Sequence, residues 1–123
     1  MPHKDYPASY YAATANQTVS RPALADQHQV DVCVIGAGYT GLSTALFLLE
    51  KGLSVTVLEA VKVGFGASGR NGGQIVNSYS RDLDSIERSV SEPAAKLIGE
   101  MAFEGGRIIR DRVARFIEPL LTQ

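Results

Sequence analysis

Between residues 30 and 58 the apolar positions change period twice. Val30 to Ile35, VDVCVI, is a short β-branched run whose only charge, Asp31, lies near its start. That is the pattern of a strand, and a parallel strand covered on both faces carries few polar positions. Leu42, Ala45, Leu46 and Leu49 then recur at helical spacing, from a start at about Tyr39, and Gly52 stands where a glycine ends a helix. Leu53 to Leu58, LSVTVL, is a second β-type run. Strand, helix and strand within about thirty residues predict two parallel strands joined by a right-handed crossover.

The flanks are less regular. Residues 1–29 are polar, with scattered Tyr, Ala and Pro and no sustained period, and form an N-terminal arm; its SYYAATAN piece, with Tyr10 and Tyr11, is suited to docking on a folded body. Ser80 to Val90 predicts a short helix, with Asp82, Asp84 and Glu87 on a solvated face. Ser91 can cap a further helix whose first turn tolerates Pro93. Its apolar stripe runs through Leu97, Ile98, Met101, Gly105, Ile108, Ile109, Val113 and Phe116, and Pro119 lies near its end. Two strands cannot cover these helices, so the α/β pattern is the opening of a larger doubly wound domain.

Composition narrows the function classes. The chain has 123 residues, 12 basic and 13 acidic, with a net charge of −1. Nothing there suggests nucleic acid or another polyanion as partner. The single cysteine, Cys33, falls inside the apolar run and is expected to be buried, in a cytoplasmic protein. His3 and His28 lie far apart in the arm and do not form a metal site. The N-terminus lacks the apolar stretch of a secretory signal. Val32 to Leu49 is uncharged over nearly the length of a membrane span, but glycines, hydroxyl residues and the change of period divide it into strand, turn and helix, so no membrane span is expected.

The junction of strand and helix carries the first chemical motif. VIGAGYTGLS, residues 34–43, places Gly36, Gly38 and Gly41 in the G-x-G-x-x-G pattern directly after the strand. Gly36 permits the tight turn, Gly38 lets backbone approach a pyrophosphate, and Gly41 lets the helix pack closely on the strands. The helix N-terminus offers free N–H groups and partial positive charge to phosphates. Glu59 ends the second strand, eighteen residues after Gly41. A carboxylate there accepts hydrogen bonds from the ribose hydroxyls of an adenosine and repels a 2′-phosphate, which argues against NADP. FAD and NAD both use this turn and this acid, so the first motif does not choose between them.

The second motif is GFGASGRNGGQ, residues 64–74. Its backbone N–H groups and Arg70 could wrap the rest of a long cofactor; by composition alone it is equally a surface loop with a solvated Arg.

DVCVIGAGYTGLSTALFLLEKGLSVTVLEA, GFGASGRNGGQIVNSYSRD and FEGGRIIRDR together resemble the N-terminal part of the D-amino-acid-oxidase/glycine-oxidase superfamily of FAD enzymes. Within it the resemblance is above all to the bacterial gamma-glutamylputrescine oxidases, which also have an arm like SYYAATAN. It covers about residues 9 to 114, and GASGRNGGQ is its most specific part. The resemblance implies FAD, a Rossmann-like FAD-binding domain over residues 30–123, and cofactor-binding roles on both loops. Gly36, Gly38 and Gly41, with Ala37, Tyr39 and Thr40 between them, would serve the pyrophosphate, and Glu59 with Ala60 the adenosine ribose. Ser68, Gly69, Arg70, Asn71, Gly72, Gly73 and Gln74 would lie between pyrophosphate and flavin, with Arg70 and Gln74 nearest the isoalloxazine.

The implied reaction is oxidation of a small-molecule amine, gamma-glutamylputrescine in the most similar group. Hydride passes to the flavin, the imine hydrolyses to aldehyde and ammonia, and oxygen takes the electrons as hydrogen peroxide. Because the flavin carries the redox chemistry, no catalytic dyad is required, and no catalytic residue is identified. The chain departs from the family in length and in its end. Family members are several times longer and carry a substrate domain, and RFIEPLLTQ does not continue in their manner, as in a frameshifted, truncated or pseudogene product. The alternative reading is therefore a truncated, catalytically inactive nucleotide-binding fragment. Oligomeric state and electron acceptor are not legible.

Overall fold

The computed structural model describes residues 6, 8–15, 20–79 and 82–117. In chain order the elements are α1 (Tyr10–Ala13), β1 (Val32–Ile35), α2 (Tyr39–Glu50), β2 (Val55–Leu58), a 3-10 turn (Ala67–Gly69), α3 (Leu83–Glu87), α4 (Glu92–Arg112) and a π-helical turn (Val113–Ile117). They fall into two compact units, Met1–Gly72 and Gly73–Gln123.

In the first unit β1 and β2 are parallel, with Val32 opposite Val55 and Ile35 opposite Leu58. The register is clamped at the entry of both strands. Asp31 Oδ2 accepts from the Ser54 amide at 2.8 Å and from its hydroxyl at 2.6 Å, while the Asp31 amide donates to Ser54 Oγ at 3.0 Å. This clamp is why β1 begins at Val32 and not at Val30: Asp31 is bent toward Ser54. These hydrogen bonds, the Ser54 hydroxyl first, hold the Asp31 carboxyl below its ordinary pKa.

β2 starts two residues later than its apolar run because Leu53 still belongs to the end of α2. The Gly52 amide donates to Leu49 O at 2.9 Å and the Leu53 amide to Leu48 O at 3.2 Å. These are the paired bonds of a Schellman end, and Gly52 supplies its left-handed residue at φ +83°.

α2 packs against both strands. Its covered side is Gly41, Leu42, Ala45 and Leu48, with Ala45 buried. Of the positions expected on that side, Leu46 and Leu49 are exposed. The helix is apolar on most of its circumference, so spacing alone could not choose the packed stripe. β1 alternates, with Val32 and Val34 half-buried and Cys33 and Ile35 exposed, Ile35 to 88%. This corrects two expectations: β1 is not covered on both faces, and Cys33 is not buried. Only one face of the strand lies under α2, and Cys33 points from the other.

The arm does meet this unit, through Tyr6 and not through the expected tyrosines. α1 is one turn capped by Ser9, whose Oγ accepts from the Ala12 amide at 3.2 Å. Tyr10 and Tyr11 are exposed. Tyr6 donates its hydroxyl to Val63 O at 2.6 Å.

In the second unit Ser91 holds the N-cap position of α4 and Pro93 falls in the first turn, but the Ser91 side chain makes no capping bond. Small residues line the packed side: Ala95 and Gly106 are buried, and Ala102 is half-buried. Asn77 lies against Gly106 so closely that a Cβ there would collide with its Oδ1. Tyr79 donates its hydroxyl to Ile98 O at 2.7 Å. α3 packs on α4 with Leu83 and Ile86 half-buried, while Asp82, Asp84 and Glu87 are exposed, as expected of a solvated face. Much of the predicted α4 stripe is exposed, including Leu97, Met101, Ile108, Ile109 and Phe116. Ser80 and Pro119 lie outside the described residues. No helix among the described residues is long and apolar enough to cross a membrane.

Candidate nucleotide-binding site

The site is built on the turn from β1 into α2. The Gly36 amide extends the parallel ladder by one bond, donating to Leu58 O at 2.7 Å. Gly36 then takes φ +100°, a conformation that a Cβ disfavours. α2 comes so close to this turn that a Cβ on Gly41 would run into the Gly36 carbonyl. Gly36 and Gly41 are thus a matched pair, one for conformation and one for space.

Glu59 closes the turn from the side of β2. Its Oε2 accepts from the Ala37 amide at 2.8 Å and its Oε1 from the Val61 amide at 3.0 Å. These bonds, that of Ala37 first, hold the carboxyl below its ordinary pKa of 4.5, so it is ionised at neutral pH. Glu59 is exposed, so its carboxylate stays open to a hydroxyl beside these bonds. Ala60, beside it, is exposed as well.

The second glycine-rich segment folds back on the first. The Gly64 amide donates to Ala37 O at 2.9 Å. Ser68 accepts the Tyr39 amide on its Oγ at 3.0 Å. Gly38 is the N-cap of α2, and the free amide of Tyr39, the first helical residue, finds its acceptor 29 residues away. A Cβ on Gly38 would come within 2.9 Å of Ser68 Oγ, so the closest demand on Gly38 comes from the protein's own second loop. Asn71 Nδ2 lies 2.9 Å from Ser68 O and 3.3 Å from the Tyr39 hydroxyl. Gly69 packs against Gly64 within the same turn. Arg70 is exposed, with its Nε on Gly66 O at 3.2 Å.

The fold therefore gathers Gly36, Ala37, Gly38, Tyr39, Thr40, Gly41, Glu59, Ser68 and Asn71 around the N-terminus of α2. Gly72 is the last residue of this unit, and Gly73 and Gln74 open the next one. Partners not anticipated from sequence include Ala37 and Val61 on Glu59, Ser68 on Tyr39, and Asn71 beside the Tyr39 hydroxyl.

The arrangement suits an anion with a diol beside it. In the first turn of α2 the N–H groups of Thr40 and Gly41 have no intrahelical acceptor, and no acidic residue occupies that turn. The sequence model of the DAO family, FAD dependent oxidoreductase, matches residues 31–121. The chain belongs to this FAD-dependent oxidoreductase family.

Members of the family among curated proteins include the gamma-glutamylputrescine oxidoreductase of Escherichia coli (strain K12). It is 56% identical over 112 residues, 91% of this chain and 26% of the relative. The probable oxidoreductase OrdL of Haemophilus influenzae is 43% identical over 114 residues, 93% of this chain and 26% of the relative. A Rhizobium meliloti OrdL is 36% identical over 101 residues, 82% of this chain and 24% of the relative. The FAD-dependent oxidoreductase segment represented by this chain thus spans about a quarter of the length of these relatives. No solved structure matches it significantly.

Proposed function

We infer that this chain carries the adenine-dinucleotide-binding turn of an FAD-dependent amine oxidoreductase, with gamma-glutamylputrescine as the substrate of the whole enzyme. The observation that carries the reading is the convergence of Glu59 and Ser68 on the two sides of the Gly36–Gly41 turn. Family membership and the 56% identity to a gamma-glutamylputrescine oxidoreductase support the cofactor and the substrate class.

In this reading the first-turn amides of α2 face the pyrophosphate and Glu59, beside Ala60, accepts the ribose hydroxyls. Ser68, having accepted the Tyr39 amide, keeps its own hydroxyl proton to donate. Gly69, Arg70, Asn71, Gly72, Gly73 and Gln74 follow the cofactor toward its ring, with Arg70 and Gln74 nearest to it. Bound FAD supplies the oxidation of the amine carbon; the residues of this chain bind and orient it. The residues of this chain are assigned the nucleotide, and amine turnover is assigned to the whole enzyme, of which this chain matches about a quarter.

Titration of the purified chain with FAD, ADP and NADP tests this. FAD and ADP should bind, NADP should bind more weakly, and Glu59→Ala should weaken FAD and ADP alike. Absence of binding by both FAD and ADP would overturn the proposal.

A further inference from the structure

The N-terminal arm is attached to the nucleotide site through one side chain, and this contact lies outside both glycine motifs. Tyr6 donates its hydroxyl to Val63 O at 2.6 Å. Its ring centre is 6.1 Å from that of Phe65, and Lys62 Nζ lies 5.2 Å from the centre of the Tyr6 ring. Three successive contacts therefore hold residues 62–65. Gly64, in the middle of that segment, donates to Ala37 O inside the first glycine turn. Four residues beyond it, Ser68 caps α2. By contrast, Tyr10, the neighbouring aromatic of the arm, is 76% exposed.

We propose that Tyr6 is a positioning residue of the nucleotide site: it pins residues 62–65 so that Gly64 and Ser68 are already seated on the Gly36–Gly41 turn before nucleotide arrives. The consequence for binding rests on the function proposed above; the pinning itself does not. A loop that is ordered beforehand does not lose conformational freedom on binding, and a site seated only part of the time binds weaker by that fraction.

Amide hydrogen exchange on the chain without nucleotide decides the pinning. Tyr6→Ala should speed exchange at Gly64 and Tyr39 while leaving α4 unchanged. Tyr6→Phe, which keeps the ring and removes only the hydroxyl, should act in the same direction to a smaller extent. Tyr10→Phe should change nothing. Unchanged exchange at Gly64 and Tyr39 in Tyr6→Ala would overturn the proposal. In parallel, the Kd for FAD should rise about threefold to tenfold in Tyr6→Ala, as for a loop seated about a third to a tenth of the time. Faster exchange with an unchanged Kd would also overturn it, because the latch would then not serve the site. If the native chain binds neither FAD nor ADP, the proposed function fails and the exchange result alone decides the role of Tyr6.

Discussion

The hydroxyl oxygen of Ser68 accepts the backbone amide of Tyr39 at 3.0 Å, so the second glycine-rich segment caps the helix that follows the first. The two motifs are one structure. The same helix end that would face a phosphate is held by a residue 29 positions downstream.

Removing that cap should cost stability and binding together. Ser68→Ala should lower the stability of the first unit by about 1 kcal/mol, within the ~0.5–1.5 kcal/mol typical of a lost hydrogen bond. Urea unfolding followed by circular dichroism measures it. Ser68→Thr, which keeps the oxygen, should recover part of the loss.

Gly36 and Gly41 should fail for different reasons. A Cβ at Gly41 meets the Gly36 carbonyl and Val34, so Gly41→Ala must move α2 away from β1. A cost of about 1–3 kcal/mol is expected for such overpacking. A Cβ at Gly36 meets nothing within 4 Å, and the penalty of Gly36→Ala is conformational, about 1–2 kcal/mol at φ +100°. Thermal unfolding of both variants checks the order, and FAD affinity should fall more for Gly41→Ala, where the helix end itself shifts.

Glu59 should make the turn sensitive to acid. Its pKa in the folded chain is depressed, first by the Ala37 amide and then by that of Val61. A carboxyl with a depressed folded pKa contributes stability that is present above its unfolded value, here the ordinary 4.5, and lost as pH falls through the folded value. Native protein should therefore exceed Glu59→Gln in stability at pH 7, and the gap should close below about pH 4.5. Denaturant midpoints at a series of pH values report it. A gap that widens on acidification would contradict the assigned hydrogen bonds.

Cys33 offers a direct check on the open face of β1. It is exposed, so a thiol reagent such as dithionitrobenzoate should label it in the folded chain at a rate close to that in urea. A thiol protected until unfolding would mean that this face is covered in solution.

The order of β1, α2, β2, α3 and α4 was legible in the sequence because each rests on local period and local chemistry, whereas the single turn of α1 was not. Val32–Ile35 and Val55–Leu58 are β-branched and apolar, and the helix between them starts at Tyr39 as the glycines require. The strand ends were not legible. Asp31 leaves β1 for Ser54, and Leu53 is held by the end of α2, both through contacts that no period announces. The packed side of α2 was misjudged at Leu46 and Leu49 because leucines and Phe47 occupy most of the second half of the helix, so spacing alone leaves the packed stripe open.

What the sequence by itself determined is the strand–turn–helix–strand unit, the glycines of its turn and the acid at the end of β2. These depend on backbone conformation and on neighbours within a few residues. Only the tertiary structure decided which face of β1 lies open, that Ser68 caps α2, that Glu59 holds the Ala37 amide, and that Tyr6 rather than Tyr10 docks the arm. Those pairs are separated by 29, 22 and 57 residues for Ser68–Tyr39, Glu59–Ala37 and Tyr6–Val63. Contacts at that range follow from how the chain closes on itself, and a hydroxyl or carboxylate leaves no periodic mark of the partner it will meet.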